Sequence, residues 1–285
     1  MRYDLTVVPY HQLVQAGGSD PSRWMLVLHG IYGAGANWRT FARKLTEQQP
    51  DLGCVLVDLR KHGRSQEAVP PHTVAAAAAD LIELEGALAV QRRPVVSVCG
   101  HSFGGKVALQ YAADRGSILE SAWILDASPS PRPGAFDDPD NTVAGVLRLL
   151  ESLPRQYPDR ESFVARAVDA GHPKMLGTWL AMNLEREDRH YDLRLDLPAI
   201  RALLADYYAT DLWPVVEAPP TDLHFVAAGR STSLSAADRA RLRALASDRV
   251  HLHEIPTASH WLHIDSLPQL LSLFGDTHAP KNSAP

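Results

Sequence analysis

RPVVSVCGHSFGGKVALQYAAD, residues 93–114, carries three signals in succession. Pro94 punctuates the chain, and Val95, Val96, Val98 and Cys99 follow as a short apolar, β-branched run. Such a run between breakers reads as a fully buried strand of a parallel sheet. Gly100-His101-Ser102-Phe103-Gly104 comes next, and Lys106 to Ala113 has helical composition. Turning from strand to helix in so few residues forces the central serine into a strained backbone, with glycines two positions either side giving the chain room. The turn lifts the Ser102 hydroxyl to a helix N-terminus. There the positive dipole end and the free N–H of Phe103 favour a developing oxyanion. This pattern presents a nucleophile.

Working outward, Trp24 to Leu28 is a continuous apolar run and ends in His29-Gly30-Ile31-Tyr32-Gly33. H-G-x-x-G after a buried strand lets a loop approach the nucleophile and offers a second oxyanion donor, the Ile31 N–H or, failing that, the Tyr32 N–H. His29 itself reads equally well as a brace for this loop. Leu5–Val8 and His11–Val14 are weak strand candidates around Pro9, an antiparallel edge ribbon. Asn37 can cap a helix over Trp38–Gln48, and Cys54–Val57 is another buried strand. It closes in Asp58-Leu59-Arg60-Lys61-His62-Gly63-Arg64, whose charged residues read as local pairing. Thr73 caps a helix to Val90, with Val74, Ala77, Ala78, Leu81, Leu84 and Leu88 on one face. Ser121–Leu125 is the next strand and ends in Asp126. After a gap the rhythm resumes with strands Leu223–Ala228 and Val250–Ile255 and helices Ala236–Ala246 and Leu267–Phe274. Strands alternating with helices predict right-handed crossovers and a mostly parallel sheet flanked by helices.

In the gap, Pro129, Pro131, Pro133 and Pro139 lead into helical segments near Thr142–Ser152, Glu161–Ala170, Lys174–Leu184 and Ala199–Tyr207. No strong strand appears there. The division expected is a core of residues 1–128 and 221–275, an inserted helical cap over 129–220, and a loose polar tail over 276–285. Tyr32, with Met175, Trp179, Met182, Tyr207, Tyr208 and Trp213 of the cap, are candidates to line a substrate pocket.

Ser102 needs a base, and the base needs an orienting acid. His260 follows the last strand and precedes the last helix, with His263 as its competitor. The turn after Ala228, Gly229-Arg230-Ser231-Thr232-Ser233-Leu234-Ser235, holds no carboxylate until Asp238, already inside a helix. Asp126 closes the strand after the nucleophile helix. Neighbouring strands end at one sheet edge, so its carboxylate can reach His260 Nδ1.

Composition is that of an ordinary soluble globular protein: 45% hydrophobic and 21% charged residues, with a formal net charge of −5 that argues weakly against a nucleic-acid partner. The N-terminus lacks a signal-peptide pattern and no apolar stretch approaches a membrane span, so a cytoplasmic setting is expected. Cys54 and Cys99 read as core residues without a metal or redox motif.

HGIYG, DLRKHGRS, GHSFGGKVAL, ILDASP and SHWLH together resemble the α/β hydrolase fold, and within it the YbfF/ABHD11-type serine esterases. The resemblance covers residues 24–128 and 223–265 and is weak over the cap. It implies that Ser102 is the nucleophile, His260 the base and Asp126 the acid, with the Ile31 and Phe103 N–H groups as oxyanion hole. Ser259 stands where a glycine is usual before the histidine, and the turn after Ala228 lacks the family's proline. The expected activity is hydrolysis of carboxylic esters of small or medium acyl groups, with no cofactor and no metal, on a small-molecule acyl substrate. A carbon–carbon bond hydrolase or lyase, a thioesterase or a lactonase would use the same triad. Carbon–carbon cleavage needs cations against an acidic substrate, for which Arg148, Arg155, Arg166 and Arg186 are available. A non-catalytic ligand-binding protein on this fold is the competitor from another class.

Overall fold

The structure, a computed structural model, describes residues 7–277. Strand β1 (His11–Val14) pairs antiparallel with the third strand, and β2 (Arg23–Leu28) leads into α1 (Arg39–Gln48) and β3 (Leu52–Val57). Then come α2 (Val74–Val90), β4 (Val95–His101), α3 (Phe103–Arg115) and β5 (Ser121–Leu125). Residues between β5 and the next strand of this sheet form an insertion. It contains α4 (Thr142–Ser152), β6 (Gln156–Tyr157), α5 (Arg160–Asp169), α6 (Lys174–Leu180), β7 (Leu184–Glu187), β8 (His190–Leu193), α7 (Leu197–Ala209) and α8 (Trp213–Glu217). The chain closes with β9 (Asp222–Ala228), α9 (Ala236–Ala244), β10 (Val250–Ile255), α10 (Leu262–Asp265) and α11 (Leu267–Thr277).

The seven-stranded sheet has the order β1-β3-β2-β4-β5-β9-β10, parallel except for β1. Its central strands are buried on both faces, which is why they read as unbroken apolar runs rather than alternating ones. One face packs against α2 and α3 through residues such as Leu26, Val98, Leu81 and Val107. The other packs against α1 and α11 through Val27, Trp123, Phe41 and Phe274. This arrangement brings the C-terminal ends of β2, β4, β5 and β9 to one edge, the place where parallel sheets bind ligands.

Several expectations shift. The edge ribbon reduces to β1, since Val7 and Val8 lie in no strand, while Leu5 falls outside the described residues. Thr73 does cap α2, its hydroxyl accepting the Ala76 N–H at 3.0 Å. The insertion, read as helical with no strong strand, also holds a small antiparallel sheet of β6, β8 and β7. Its strands are two to four residues long and mostly polar, with Leu184 and Leu193 buried and paired across one end. A run that short gives almost no periodic signal. The expected tail begins as the last residues of α11, and residues 278–285 lie outside the described part.

Candidate active site

Ser102 sits between β4 and α3 with φ 54° and ψ −118°, a region that non-glycine residues rarely occupy. The sheet holds it there, because its N–H continues the parallel ladder to the Leu125 carbonyl at 3.0 Å. A Cβ at Gly100 would lie 2.0 Å from the Gly104 carbonyl oxygen, so only glycine lets the turn fold back on itself. The Phe103 N–H opens α3, where no intrahelical acceptor exists for it.

Asp126 repeats the device one strand over. It follows β5 with φ 46°, and its N–H reaches the Val226 carbonyl at 2.8 Å. Its fully buried carboxylate accepts the Ala228 N–H at Oδ1 (3.2 Å) and meets His260 Nδ1 at Oδ2 (2.7 Å). A carboxylate at Nδ1 fixes the proton there and leaves the Nε2 lone pair for another group. Ser233 Oγ lies 3.1 Å from the same Nδ1. This serine comes from the turn after β9 that lacks a carboxylate, a contact with no local sequence signal. Asp238 is engaged elsewhere, with the Ser128, Ser130 and Ser235 hydroxyls at 2.8, 2.5 and 2.8 Å.

The histidine loop is held from both sides. The Ser259 N–H donates to the Asp265 carboxylate at 3.0 Å, and its hydroxyl donates to the same group, so the serine found in place of glycine anchors the loop. His101 donates Nε2–H to the His260 carbonyl at 2.8 Å. His263 instead stacks on Trp38, ring centroids 4.2 Å apart, and its buried Nδ1 has no hydrogen-bond partner among the described residues.

At the end of β2, His29 does brace its loop. It donates Nδ1–H to the Gly30 carbonyl at 2.7 Å and accepts the Leu59 N–H at Nε2 (3.0 Å). The Gly33 N–H donates to the same Gly30 carbonyl at 3.1 Å. Because that carbonyl shares a planar peptide with the Ile31 N–H, anchoring one end restrains the other without fixing it. The Ile31 N–H has no acceptor among the described residues. The Tyr32 N–H is spent on His62 Nε2 at 3.1 Å, and His62 donates Nδ1–H to the Arg60 carbonyl. Burial pushes His29 down to about 4, His62 to about 3, His263 to about 4, and His101 well below its usual value. All four are neutral near pH 7, as acceptor roles at His29 and His62 require. Asp58 takes the Gly35 and Arg64 N–H groups, and Arg60 pairs with buried Asp80 at 2.8 Å.

Ser102 and His260 line one cavity of about 680 Å³, together with Ile31, Tyr32, Trp38, Val143, Val146, Leu176, Trp179 and Trp261. A second chamber of about 570 Å³ also reaches Ser102 and Ile31 and is more polar, with Ser128, Asn141, Tyr207, Tyr208 and Thr232 in its wall. Of the pocket candidates, Tyr32 and Trp179 line the first chamber and Tyr207 and Tyr208 the second. Met182 falls outside both, 48% exposed beside Asn37. Met175 is still more exposed. Trp213 is buried where the insertion rejoins the core, donating Nε1–H to Ser130 Oγ at 2.8 Å. Helix spacing could not separate a wall residue from a joint residue. Arg148, Arg155, Arg166 and Arg186 line neither chamber. Arg148 and Arg155 are spent on backbone carbonyls.

A strained serine at a strand–helix turn, a buried carboxylate–histidine pair and a glycine loop converge on one edge of a parallel sheet. Residues 25–271 match the family model described as the alpha/beta hydrolase family. The chain belongs to that family. It is 27% identical over 252 residues, 87% of this chain and 76% of the relative, to the sn-1-specific diacylglycerol lipase ABHD11 of Danio rerio. It is 38% identical over 191 residues, 65% of this chain and 66% of the relative, to the lipase LipV of Mycobacterium tuberculosis. Among solved structures, a marine microorganism esterase superposes with a TM-score of 0.80 at 21% identity, covering 95% of this chain and 99% of that one. Among the described residues, no helix is long and apolar enough to cross a membrane.

Proposed function

We propose that this chain is a serine hydrolase of carboxylic esters with small or medium acyl groups, working through Ser102, His260 and Asp126. The observation that carries the reading is the 2.7 Å contact between His260 Nδ1 and the buried Asp126 carboxylate, beside a cavity that also contains Ser102. With its Nδ1 proton held by Asp126, His260 takes the Ser102 proton at Nε2 as the hydroxyl attacks the ester carbonyl. The oxyanion that forms is met by the N–H groups of Ile31 and Phe103, each such donor being worth about 10²–10³ in kcat. Collapse expels the alcohol, protonated by His260, and leaves an acyl-enzyme. Water, deprotonated by the same histidine, then releases the acid. Every step is a proton transfer or an acyl transfer, so no cofactor enters.

Residues 129–220 act as the cap, supplying Val143, Val146, Leu176 and Trp179 to the chamber wall. That apolar wall suits an acyl chain. Arg148, Arg155, Arg166 and Arg186 stand outside both chambers; the arginines at the walls are Arg230 in the first and Arg132, paired with Asp138, in the second. The lipase relatives support an ester as the bond cleaved.

The test is turnover of p-nitrophenyl acetate, butyrate and octanoate by wild type and Ser102→Ala. Wild type is expected to cleave at least one, with Ser102→Ala at background. Equal turnover by the two proteins would remove Ser102 from the mechanism.

A further inference from the structure

Tyr32 does more than line the chamber. Its backbone has φ 63°, in the left-handed region where an aromatic residue is held only by its surroundings. Three hydrogen bonds from two parts of the molecule supply that hold. From the core, His62 Nε2 accepts the Tyr32 N–H at 3.1 Å. From the insertion, Asn183 Nδ2 donates to the Tyr32 carbonyl at 2.9 Å, and the Tyr32 hydroxyl donates to the Val143 carbonyl at 3.0 Å. Val143 lies in the first turn of α4, and Asn183 joins α6 to β7, where its amide also reaches the Leu180 carbonyl at 3.2 Å. Two separate pieces of the insertion therefore grip one residue of the oxyanion loop. Its ring is almost completely buried, while its partners in the insertion, Val143 and Asn183, are half-buried.

Immediately before it, the Gly30–Ile31 peptide is fixed only at its carbonyl end, by His29 and the Gly33 N–H. The other end of the short loop is Tyr32. We propose that Tyr32 is a positioning residue that couples the seating of the insertion to the oxyanion loop. The Ile31 N–H is correctly aimed only while Val143 and Asn183 hold Tyr32. The insertion thus completes the oxyanion hole as well as roofing the chamber, and a substrate that displaces α4 or the Asn183 turn lowers the rate of the chemical step. This rests on the serine-hydrolase reading above.

Tyr32→Phe keeps the ring and removes the hydroxyl bond to Val143, whereas Asn183→Leu acts from the insertion and touches no catalytic group. Both are compared with wild type and Ser102→Ala for kcat and KM on p-nitrophenyl butyrate. The second readout is the affinity of a trifluoromethyl ketone, whose tetrahedral adduct places an oxyanion at the Ile31 and Phe103 donors. Losing a donor outright costs about 10²–10³ in kcat, so a misaimed one is expected to cost about tenfold. Each variant should lose that factor in kcat and in ketone affinity together, with KM within about threefold and the far-ultraviolet spectrum unchanged. The double variant should lose little more than either single one, because both act through the same loop. A raised KM with kcat and ketone affinity unchanged would make Tyr32 a chamber wall only and overturn the coupling. If Tyr32→Phe fails to fold, Asn183→Leu decides on the same readouts. Activity in Ser102→Ala would overturn the serine-hydrolase reading itself, and the coupling with it.

Discussion

At the sheet edge and in the insertion above it, functional residues are held by opposite means. Ser102 and Asp126 each follow a strand, each take a positive φ, and each extend the ladder to the next strand through their own N–H. Backbone regularity places them, and the cost of about 1–3 kcal/mol for such a conformation is borne by a sheet that over-determines it. The insertion is pinned by side chains instead. Lys106, in the first turn of α3 and 1% exposed, donates to the carbonyls of Ser130, Tyr207 and Thr210 at 2.9, 2.7 and 2.8 Å. Those carbonyls belong to the two stems by which the insertion leaves and rejoins the core. Burial draws Lys106 down to about 8, with Asp211, Asp206 and Asp238 acting the other way. Helix α3 thus carries the pin for the insertion, and strand order places Ser102 and Asp126.

If the comparison holds, breaking the pin should be the costliest single change outside Ser102, Asp126 and His260. Lys106→Met leaves three partly buried carbonyls without this donor, an expected loss of about 3 kcal/mol, or a Tm lower by about 6–12 °C. Differential scanning calorimetry would show it. An unchanged Tm would mean that apolar packing alone holds the stems.

Acid should separate the two regions in a subtler way. His29, His62, His101 and His263 sit under the sheet edge with pKa values lowered by burial, to about 3 or 4 where a value is resolved. Their unfolded value is about 6.5. Below that pH the unfolded chain binds protons the folded chain refuses until about pH 3–4, so stability falls with falling pH. The slope is at most about 1.4 kcal/mol per pH unit for each histidine. His263→Phe keeps the stack on Trp38 and removes one such group. Urea unfolding between pH 5 and 6 should show a shallower pH dependence, with esterase turnover largely retained. A slope equal to wild type would mean that His263 takes up its proton in the folded state.

The same contrast explains what was legible in the sequence. Buried strands announce themselves as apolar runs, and β5 and β10 start and end where the pattern puts them. The contact between Asp126 and His260 was legible because the turn after β9 offers no carboxylate and adjacent strands must end together. The pins were not legible. Lys106 reads as an ordinary helical lysine, Tyr32 as a wall residue, and Ser233 as part of a polar turn, because each acts on a partner at least 24 residues away. The small sheet escaped for want of length, and Met182 and Trp213 because helical spacing gives a face without saying what covers it.

The most direct measurement is kcat/KM for p-nitrophenyl butyrate with Asp126→Asn, alongside its urea unfolding midpoint. Losing the orienting carboxylate should cost about 10³–10⁴ in rate while the protein stays folded. A folded variant with a rate near wild type would contradict the triad, because another group would then be orienting His260.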